Sequence, residues 1–362
     1  MVVKKLFIVL SALLLWTAIP AVSASAVSVG QSCAKAALGT RVSTRIGTKP
    51  VIVVCRIRAG RKQWIRAVIQ TITTSTTSTS TSTTSTTSTI VPEPVVNYTD
   101  IPDLVDPSLR IITTDGSKPR TYKIYIPSTY DPAKPLPLLF GFHGLGGSAA
   151  TFTNSLQLKN FSQDMGFILI VPNGWGSEGG AQNGWNAGNC CGAAYSNNID
   201  DIGLVKSILD SVFKRYSVDK SRIWAMGFSN GGMMSYRLAC ELSEHFSAIG
   251  VGGGALVLNT CSPPNTVSVI HIHGGLDTTV PLDGGGPFFV KPVIESFKLV
   301  NSANACSPMP YVVSSNLTSE TTVAICADGT EQKLTNYFNQ GHEWTIDWTK
   351  EILRFLVAHP RK

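Results

Sequence analysis

The hydropathy pattern of the C-terminal part of the chain alternates between short apolar runs and amphipathic segments. Four apolar runs end in glycine, as buried parallel strands often do: LPLLFGFHG, GFILIVPNG, RIWAMG and SVIHIHG. Apolar residues at helical spacing follow in DDIGLVKSILDSVFKRY, whose Asp200 and Asp201 we expect to cap the helix, in Gly231–Glu241 and in WTKEILRFLVAH. This order predicts βαβ units, a mostly parallel sheet and helices on both of its faces over about residues 100–362.

The first 26 residues have the pattern of a secretory signal peptide. Lys4 and Lys5 precede the apolar run Leu6–Ile19, and the small-residue stretch AVSASA follows it. Cleavage after Ala24 or Ala26 fits the small-x-small rule. The apolar run is too short for a comfortable membrane span and no later segment comes close, so the sequence predicts an exported, otherwise soluble protein.

A second break in composition separates a small module from the main domain. Residues 71–90 are almost entirely Thr and Ser, which predicts a solvated linker over about residues 71–99. The preceding residues, 27–70, contain β-branched runs and one tryptophan, Trp64. They predict a small β-like module held by one disulfide, or alternatively a basic and loosely folded spacer.

The charge of the chain is divided unevenly between these parts. The net charge is +7, from 30 Lys and Arg against 23 Asp and Glu. Residues 27–70 hold nine of the bases and no acid, and the signal holds two, so residues 91–362 carry 30 − 11 = 19 bases against all 23 acids. The basic module therefore favours an anionic polysaccharide or cell wall as its partner, and export argues against nucleic acid.

The even number of cysteines, eight, favours disulfides in an exported protein over metal sites or reactive thiols. Sequence proximity suggests three pairs: Cys33 with Cys55, Cys240 with Cys261, and Cys306 with Cys326. The adjacent Cys190 and Cys191 then bond each other or change this scheme.

The segment GFSNG places Ser229 between two glycines, after an apolar run and before a helical pattern. It fits G-x-S-x-G, in which the glycines allow a sharp strand-to-helix turn that exposes the serine hydroxyl. The following helix directs its N-terminus at the same point and favours negative charge there. We therefore interpret Ser229 as a nucleophile, although small residues also occur in turns that have no catalytic role.

A nucleophilic serine needs a base and an acid that orients the base, in the chain order Ser, Asp or Glu, His. Asp277 follows the strand pattern SVIHIHG, and His342 lies in a loop before the last helix. Asp283 is more simply a turn residue and Asp347 belongs to the final helix. The other five histidines suit packing, capping or strand-tip positions: His143, His245, His271, His273 and His359.

An ester or amide substrate would also need backbone N–H donors for its oxyanion. We expect one donor from Asn230, directly after the nucleophile. The other should come from the glycine-rich loop HGLGGS, with Leu145 first and Gly144 next. The same glycines would also suit a turn that has no catalytic role.

With these residues identified, the chain resembles the secreted polyhydroxybutyrate depolymerase and feruloyl esterase family of α/β-hydrolases. The likeness is carried, in family order across about residues 110–358, by FHGLGGSAATF, PNGW, GWNAGNCCG, NNIDDIGLV, MGFSNGGMMSYRLAC, HIHGGLDTTVP and GHEW. It implies an α/β-hydrolase fold and a carboxylic-ester hydrolase without metal or organic cofactor, using Ser229, Asp277 and His342.

The resemblance also implies that the loop WNAGNCCG lies beside the substrate, with Trp185 and Asn186 near it. Trp175 and Trp344 are similar candidates because aromatic side chains at a strand-tip cleft stack on phenolic rings or sugars. The loop would equally suit a rigid structural turn. The N-terminal module and the linker lie outside the likeness.

Several functions fit these expectations. The main prediction is a secreted esterase of polymer-linked esters, which would be either feruloyl or acetyl groups of plant polysaccharide or an aliphatic polyester such as polyhydroxybutyrate. The basic module slightly favours the polysaccharide. The alternatives are acyl transfer or peptide cleavage by the same triad, and a catalytically inactive wall-binding protein on a hydrolase scaffold.

Overall fold

The computed structural model describes residues 41–46, 49–58, 61–66, 101–102, 108–112, 119–176, 183–306 and 311–362. The predicted signal peptide, the Thr/Ser linker and Cys33, with its predicted bond to Cys55, lie outside the described residues. The chain divides into two compact units, Met1–Ile90 and Val91–Lys362.

The first unit contains a three-stranded antiparallel sheet. Its strands are β1 (Arg41–Ile46), β2 (Lys49–Arg58) and β3 (Arg61–Arg66), in that spatial order. Cys55 on β2 is paired in register with Trp64 on β3. β-Branched residues in β1 and β2 suit the extended backbone of these strands.

The second unit is built on a sheet of eleven strands within its described residues. In chain order they are β4 (Ile101–Pro102), β5 (Leu109–Ile112), β6 (Arg120–Tyr125), β7 (Leu136–Phe142), β8 (Ile168–Pro172), β9 (Val218–Phe228), β10 (Ala248–Gly252), β11 (Ser268–Gly274), β12 (Tyr311–Ser315), β13 (Ser319–Ile325) and β14 (Glu331–Tyr337). The spatial order is β12-β13-β14-β11-β10-β9-β7-β8-β6-β5-β4. The six strands from β14 to β8 are mutually parallel, and both edges are antiparallel.

Seven helices accompany this sheet in the part of the chain that the structure describes. They are α1 (Ala149–Ser155), α2 (Leu158–Met165), α3 (Gly192–Ser196), α4 (Asp201–Arg215), α5 (Asn230–Glu241), α6 (Val293–Ala303) and α7 (Ile346–Ala358). The predicted helix at Gly231–Glu241 thus begins one residue earlier, at Asn230.

The helices bury apolar residues on both faces of the sheet. Along β7, Leu138 and Phe140 pack in one core with residues of α4 and α5, whereas Leu139 packs in a second core with residues of α1, α2 and α7. Successive residues of a strand point to opposite faces, so a continuously apolar strand serves two cores at once. The α/β-hydrolase fold class predicted from the sequence is confirmed.

The cysteines of the second unit form three disulfides, all described by the structure. Cys240 bonds Cys261 and Cys306 bonds Cys326, as their proximity predicts, and the adjacent Cys190 and Cys191 bond each other. Across the described residues, no helix is long and apolar enough to cross a membrane.

The two aspartates at the start of α4 have different environments, which corrects the expectation that both are caps. Asp200 is the N-cap, and its carboxylate accepts a hydrogen bond from Gly203 N at 2.7 Å. Asp201 is fully buried: its Oδ1 lies 2.9 Å from Arg120 Nη2, and its Oδ2 accepts from Asn186 N at 2.7 Å. Asp201 therefore joins the start of β6 to the loop after Gly184.

We expect Asp201→Ala to lower the free energy of unfolding by about 3–5 kcal/mol, because Arg120 would be left buried without its counter-charge. Asp200→Ala is the matched control and should cost about 1 kcal/mol, the usual effect of losing an N-cap. Chemical denaturation at neutral pH measures both. Equal losses would mean that Asp201 acts only as a second cap.

Candidate active site

Ser229 occupies a sharp turn between β9 and α5. Its backbone has φ 54° and ψ −122°, a left-handed region that a non-glycine residue seldom adopts. Ser229 N donates to Gly252 O at 2.8 Å, which holds the strained residue against the tip of β10. A Cβ added at Gly227 would collide with the carbonyl group of Gly231, and one at Gly231 with the carbonyl oxygen of Phe142. Both glycines are therefore required by close backbone approach.

The structure brings Ser229, His342 and Asp277 together from three different strand-tip loops. Ser229 Oγ lies 3.0 Å from His342 Nε2, and His342 Nδ1 lies 2.7 Å from Asp277 Oδ2. Both distances are within hydrogen-bond range. With Asp277 accepting from Nδ1–H, Nε2 is the free acceptor that a general base for the serine hydroxyl requires.

The turn after β11 holds Asp277 in one orientation. Its Oδ1 accepts hydrogen bonds from Thr279 N and Val280 N, both at 2.8 Å, and its Oδ2 is left for His342. Burial works to raise the pKa of Asp277, but the hydrogen bonds from His342 and Val280 and the nearby imidazoles outweigh it. The pKa therefore lies below the usual value, and the carboxylate stays charged at neutral pH.

The competing acids lie elsewhere. Asp283 is exposed in the loop after Pro281, and Asp347 is exposed in the first turn of α7, where it pairs with Lys350 at 3.0 Å. Neither residue is among the hydrogen-bond partners of His342.

The loop after β7 lies directly against the serine. A Cβ added at Gly144 would be 3.4 Å from Ser229 Cβ. Among the hydrogen bonds of the described residues, neither the N–H of Leu145 nor that of Asn230 has an acceptor. These donors are thus available for a developing oxyanion, as the sequence-based hypothesis requires.

His143 fixes the backbone of this loop from below. Its Nδ1 lies 2.7 Å from Gly144 O, and its Nε2 accepts from Gly174 N at 2.9 Å. Since a carbonyl oxygen only accepts, the proton is on Nδ1. Burial lowers the pKa of His143 to about 4, so the ring is neutral at ordinary pH and does not compete with His342 for a proton.

The structure corrects the expectation that Trp185 contacts substrate, because its side chain is fully buried. Its indole Nε1 donates to His143 O at 2.8 Å. Its backbone N–H donates to Asn230 Oδ1 at 2.7 Å, and its carbonyl accepts from Asn230 Nδ2 at 3.0 Å. Trp185 therefore joins the loop after β7, which carries Leu145, to the start of α5 at Asn230, instead of presenting an aromatic face to solvent.

Asn186 is also placed in the interior, contrary to the expectation. It is 4% exposed, and its Nδ2 donates to Ile199 O at 3.0 Å. Its carbonyl accepts from Arg237 Nη1 at 2.6 Å, a contact with α5 that no sequence motif indicates. Motif composition could not tell whether this loop folds inward or outward, because tryptophan and asparagine suit both.

The other two candidate aromatics are half-buried, and their contact with substrate stays a prediction. Trp175 pairs its backbone with Gly184 by two hydrogen bonds of 2.9 Å. Trp344 donates from Nε1 to Thr349 Oγ1 at 2.8 Å and packs edge-on against Phe228. The ring of Phe228 also lies beside His342, with centroids 4.8 Å apart, a contact that no sequence motif indicates.

A serine hydrolase site on an α/β-hydrolase fold has three features: a serine on a strand-to-helix turn, a histidine and a buried aspartate. All three are present here on a parallel sheet of this order. A comparison with protein families matches residues 125–288 to the phospholipase/carboxylesterase family. The matched range contains Ser229 and Asp277 and ends before His342.

The curated relatives that the chain resembles include feruloyl esterases. The chain is 33% identical over 171 residues to feruloyl esterase C of Emericella nidulans, covering 46% of this chain and 58% of that protein. It is 34% identical over 149 residues to feruloyl esterase B of Thermothelomyces thermophilus, covering 41% and 49%. The chain thus matches about half the length of these relatives. The resemblance to the esterase family that the motifs indicate is confirmed.

A solved ferulic acid esterase from Anaeromyces mucronatus, in complex with ferulic acid, covers 74% of this chain and 93% of that chain. The superposition has a TM-score of 0.49 at 12% identity.

We expect Asn230→Ala to lower kcat on a model ester, p-nitrophenyl acetate, by about 10-fold or more with little change in KM. The substitution keeps the candidate N–H donor but removes the amide that fixes it to Trp185, and loss of a whole oxyanion donor costs about 10²–10³. Asn304→Ala is the control. It removes a buried amide that donates to Val267 O, at the opposite end of β11. An Asn230→Ala variant with the wild-type kcat would contradict this role of the Asn230 amide.

Proposed function

We propose that this chain is an exported serine esterase that hydrolyses carboxylic esters attached to a polymer. The observation that carries the proposal is the pair of hydrogen-bond contacts that link the three side chains: Ser229 Oγ lies 3.0 Å from His342 Nε2, and His342 Nδ1 lies 2.7 Å from Asp277 Oδ2. The esterase names of the relatives support the reaction class, and the N-terminal sequence pattern supports export.

This geometry supports a two-step hydrolysis through an acyl-enzyme. His342 Nε2 takes the proton of Ser229 as Oγ attacks the ester carbonyl, and Asp277 stabilises the imidazolium that forms. The N–H groups of Asn230 and Leu145 stabilise the tetrahedral oxyanion. As the intermediate collapses, the C–O bond to the alcohol breaks and His342 protonates the leaving oxygen. Water then attacks the acyl-enzyme by the same route, and the acid is released.

We further propose feruloyl or acetyl groups of plant polysaccharide as the natural esters. Both curated relatives compared above are named feruloyl esterases, and a polysaccharide target suits the basic N-terminal module. An aliphatic polyester such as polyhydroxybutyrate is the alternative substrate. Acyl transfer or peptide cleavage by the same triad, and a catalytically inactive binding protein, are the alternative functions.

The mature protein should hydrolyse methyl ferulate faster than 3-hydroxybutyrate oligomers when the two are assayed side by side. Ser229→Ala should lower kcat by several orders of magnitude and abolish labelling by a fluorophosphonate, because the nucleophile is absent. Preference for the oligomers would replace the substrate proposal by a polyester depolymerase. Failure of the wild-type protein to label would favour the inactive scaffold.

We propose an anionic polysaccharide as the partner of the N-terminal module, supported by the register of its sheet. Paired residues and every second residue along a strand share a face. By this rule five arginines and no acid hold register positions on one face: Arg41, Arg45, Arg56, Arg58 and Arg61. Register positions on the opposite face are held mostly by apolar residue types and by three cationic ones, Lys49, Lys62 and Arg66. A single-sign face of this kind favours a polyanion.

Two triple variants of the full chain test this proposal. Arg56→Gln/Arg58→Gln/Arg61→Gln should weaken binding to polygalacturonate about 10-fold at low salt, since each exposed ion pair is worth about 0.2–1 kcal/mol. Lys49→Gln/Lys62→Gln/Arg66→Gln changes the net charge equally on the other face and should weaken it less than about 3-fold. Dextran, a neutral polymer, should not bind, and hydrolysis of a soluble ester should be unchanged. If the two triple variants lost affinity for polygalacturonate equally, binding would depend on net charge alone and the proposed face would have no part in it.

A further inference from the structure

A line of buried polar side chains runs from α5 to the turn that carries Asp277. Tyr236 Oη lies 2.7 Å from His271 Nδ1, and His271 Nε2 lies 2.9 Å from His273 Nδ1. His273 Nε2 lies 2.7 Å from Val280 O. All three side chains are fully buried. His271 and His273 are two residues apart on β11 and therefore point to the same face of the sheet.

The last acceptor fixes the direction of every hydrogen bond in this line. Val280 O only accepts, so His273 carries its proton on Nε2 and accepts at Nδ1. His271 must then donate from Nε2 and accept at Nδ1 from the Tyr236 hydroxyl. Burial lowers the pKa of both histidines, and the neighbouring imidazole adds to this at His271, so both rings stay neutral.

Val280 links this line to the triad. Its carbonyl accepts from His273, and its N–H donates to Asp277 Oδ1 at 2.8 Å. His273 Nε2 also lies 3.4 Å from Asp277 Oδ2, a longer and weaker contact than the 2.7 Å from His342 to the same oxygen. His273 thus holds the backbone of Val280, whose N–H orients the Asp277 carboxylate. The other oxygen of this carboxylate accepts the hydrogen bond from His342.

We propose that His273 is a positioning residue for the esterase reaction, which holds the turn Asp277–Val280 so that Asp277 Oδ2 faces His342. The inference rests on the proposed function. His273 acts through Asp277 and has no role in the chemistry of its own. His271 and Tyr236 fix the direction of its hydrogen bond.

Two conservative variants separate the two nitrogen atoms of His273. The amide nitrogen of His273→Gln lies near the original Nε2 and can still donate to Val280 O. The amide of His273→Asn lies near the original Nδ1 and reaches His271 but not Val280. We expect His273→Asn to lower kcat on p-nitrophenyl acetate by about 10–100-fold with KM changed less than about 3-fold, because small misplacements of catalytic groups cost about 10²-fold. His273→Gln should retain at least about a fifth of kcat, because its amide can still donate to Val280 O.

A double-mutant cycle distinguishes positioning from general destabilisation. In an Asp277→Ala background, His273→Asn should lower kcat by less than about 2-fold, since the group through which it acts is gone. Gln332→Met is the stability control. Gln332 is buried and donates to Val267 O at 2.8 Å, at the opposite end of β11 from His273. The substitution should lower the melting temperature and leave kcat unchanged.

The proposal is overturned if His273→Asn keeps kcat within about 2-fold of wild type, if His273→Gln and His273→Asn lose kcat equally, or if the loss is the same with Asp277 absent. Wild-type hydrolysis and fluorophosphonate labelling are measured in the same series. An active, labelled wild type with an unaffected His273→Asn variant refutes this inference alone, whereas an inactive, unlabelled wild type refutes the proposed function and this inference with it.

Discussion

The contact between α5 and the end of β7 is the constraint on which the candidate site depends. Because Gly231 has no side chain, the start of α5 lies directly against the carbonyl oxygens of Phe142 and His143. The same approach places Gly144 beside Ser229 and leaves Ser229 in a backbone conformation that costs about 1–3 kcal/mol. A helix held further away would separate the nucleophile from the loop that carries Leu145.

The loop around Trp185 maintains this close packing from the side. The Trp185 indole and the Asn230 amide connect His143 after β7, the start of α5 and the loop that begins at Trp185 by three hydrogen bonds of 2.7–3.0 Å. The buried pair of Arg120 and Asp201 holds the next residue, Asn186. Loss of any one of these hydrogen bonds would leave a buried polar group without its partner, so each of them helps to hold the region in place. The loop after β7 and the loop that begins at Trp185 are thereby held in a fixed arrangement relative to α5.

The sequence predicted the fold and the triad for the same physical reason. Runs that end in glycine mark the carboxyl ends of buried strands, and Ser229, Asp277 and His342 each follow such a strand or a strand-like segment. Chain order then assigned their proposed roles. The burial of Trp185 and the ion pair of Asp201 could not be predicted, because no motif or chain-order rule names their partners, which lie 42 and 81 residues away. His271 is fully buried, in agreement with packing as one of the positions expected of the histidines, but its connection to Val280 through His273 depends on the three-dimensional course of a turn.

Helix α5 also connects the site to the redox state of its surroundings. Its first residue is Asn230, beside the nucleophile, and its penultimate residue is Cys240, which is bonded to Cys261. A protein made in a reducing cytosol would keep these two thiols unbonded, because disulfides persist only where the environment is oxidising. The far end of the helix that carries the proposed oxyanion donor would then lose its covalent attachment. The compartment in which the protein is expressed therefore affects the helix that begins at the candidate active site. Preparations from the periplasm and from the cytosol would differ in the Cys240–Cys261 disulfide.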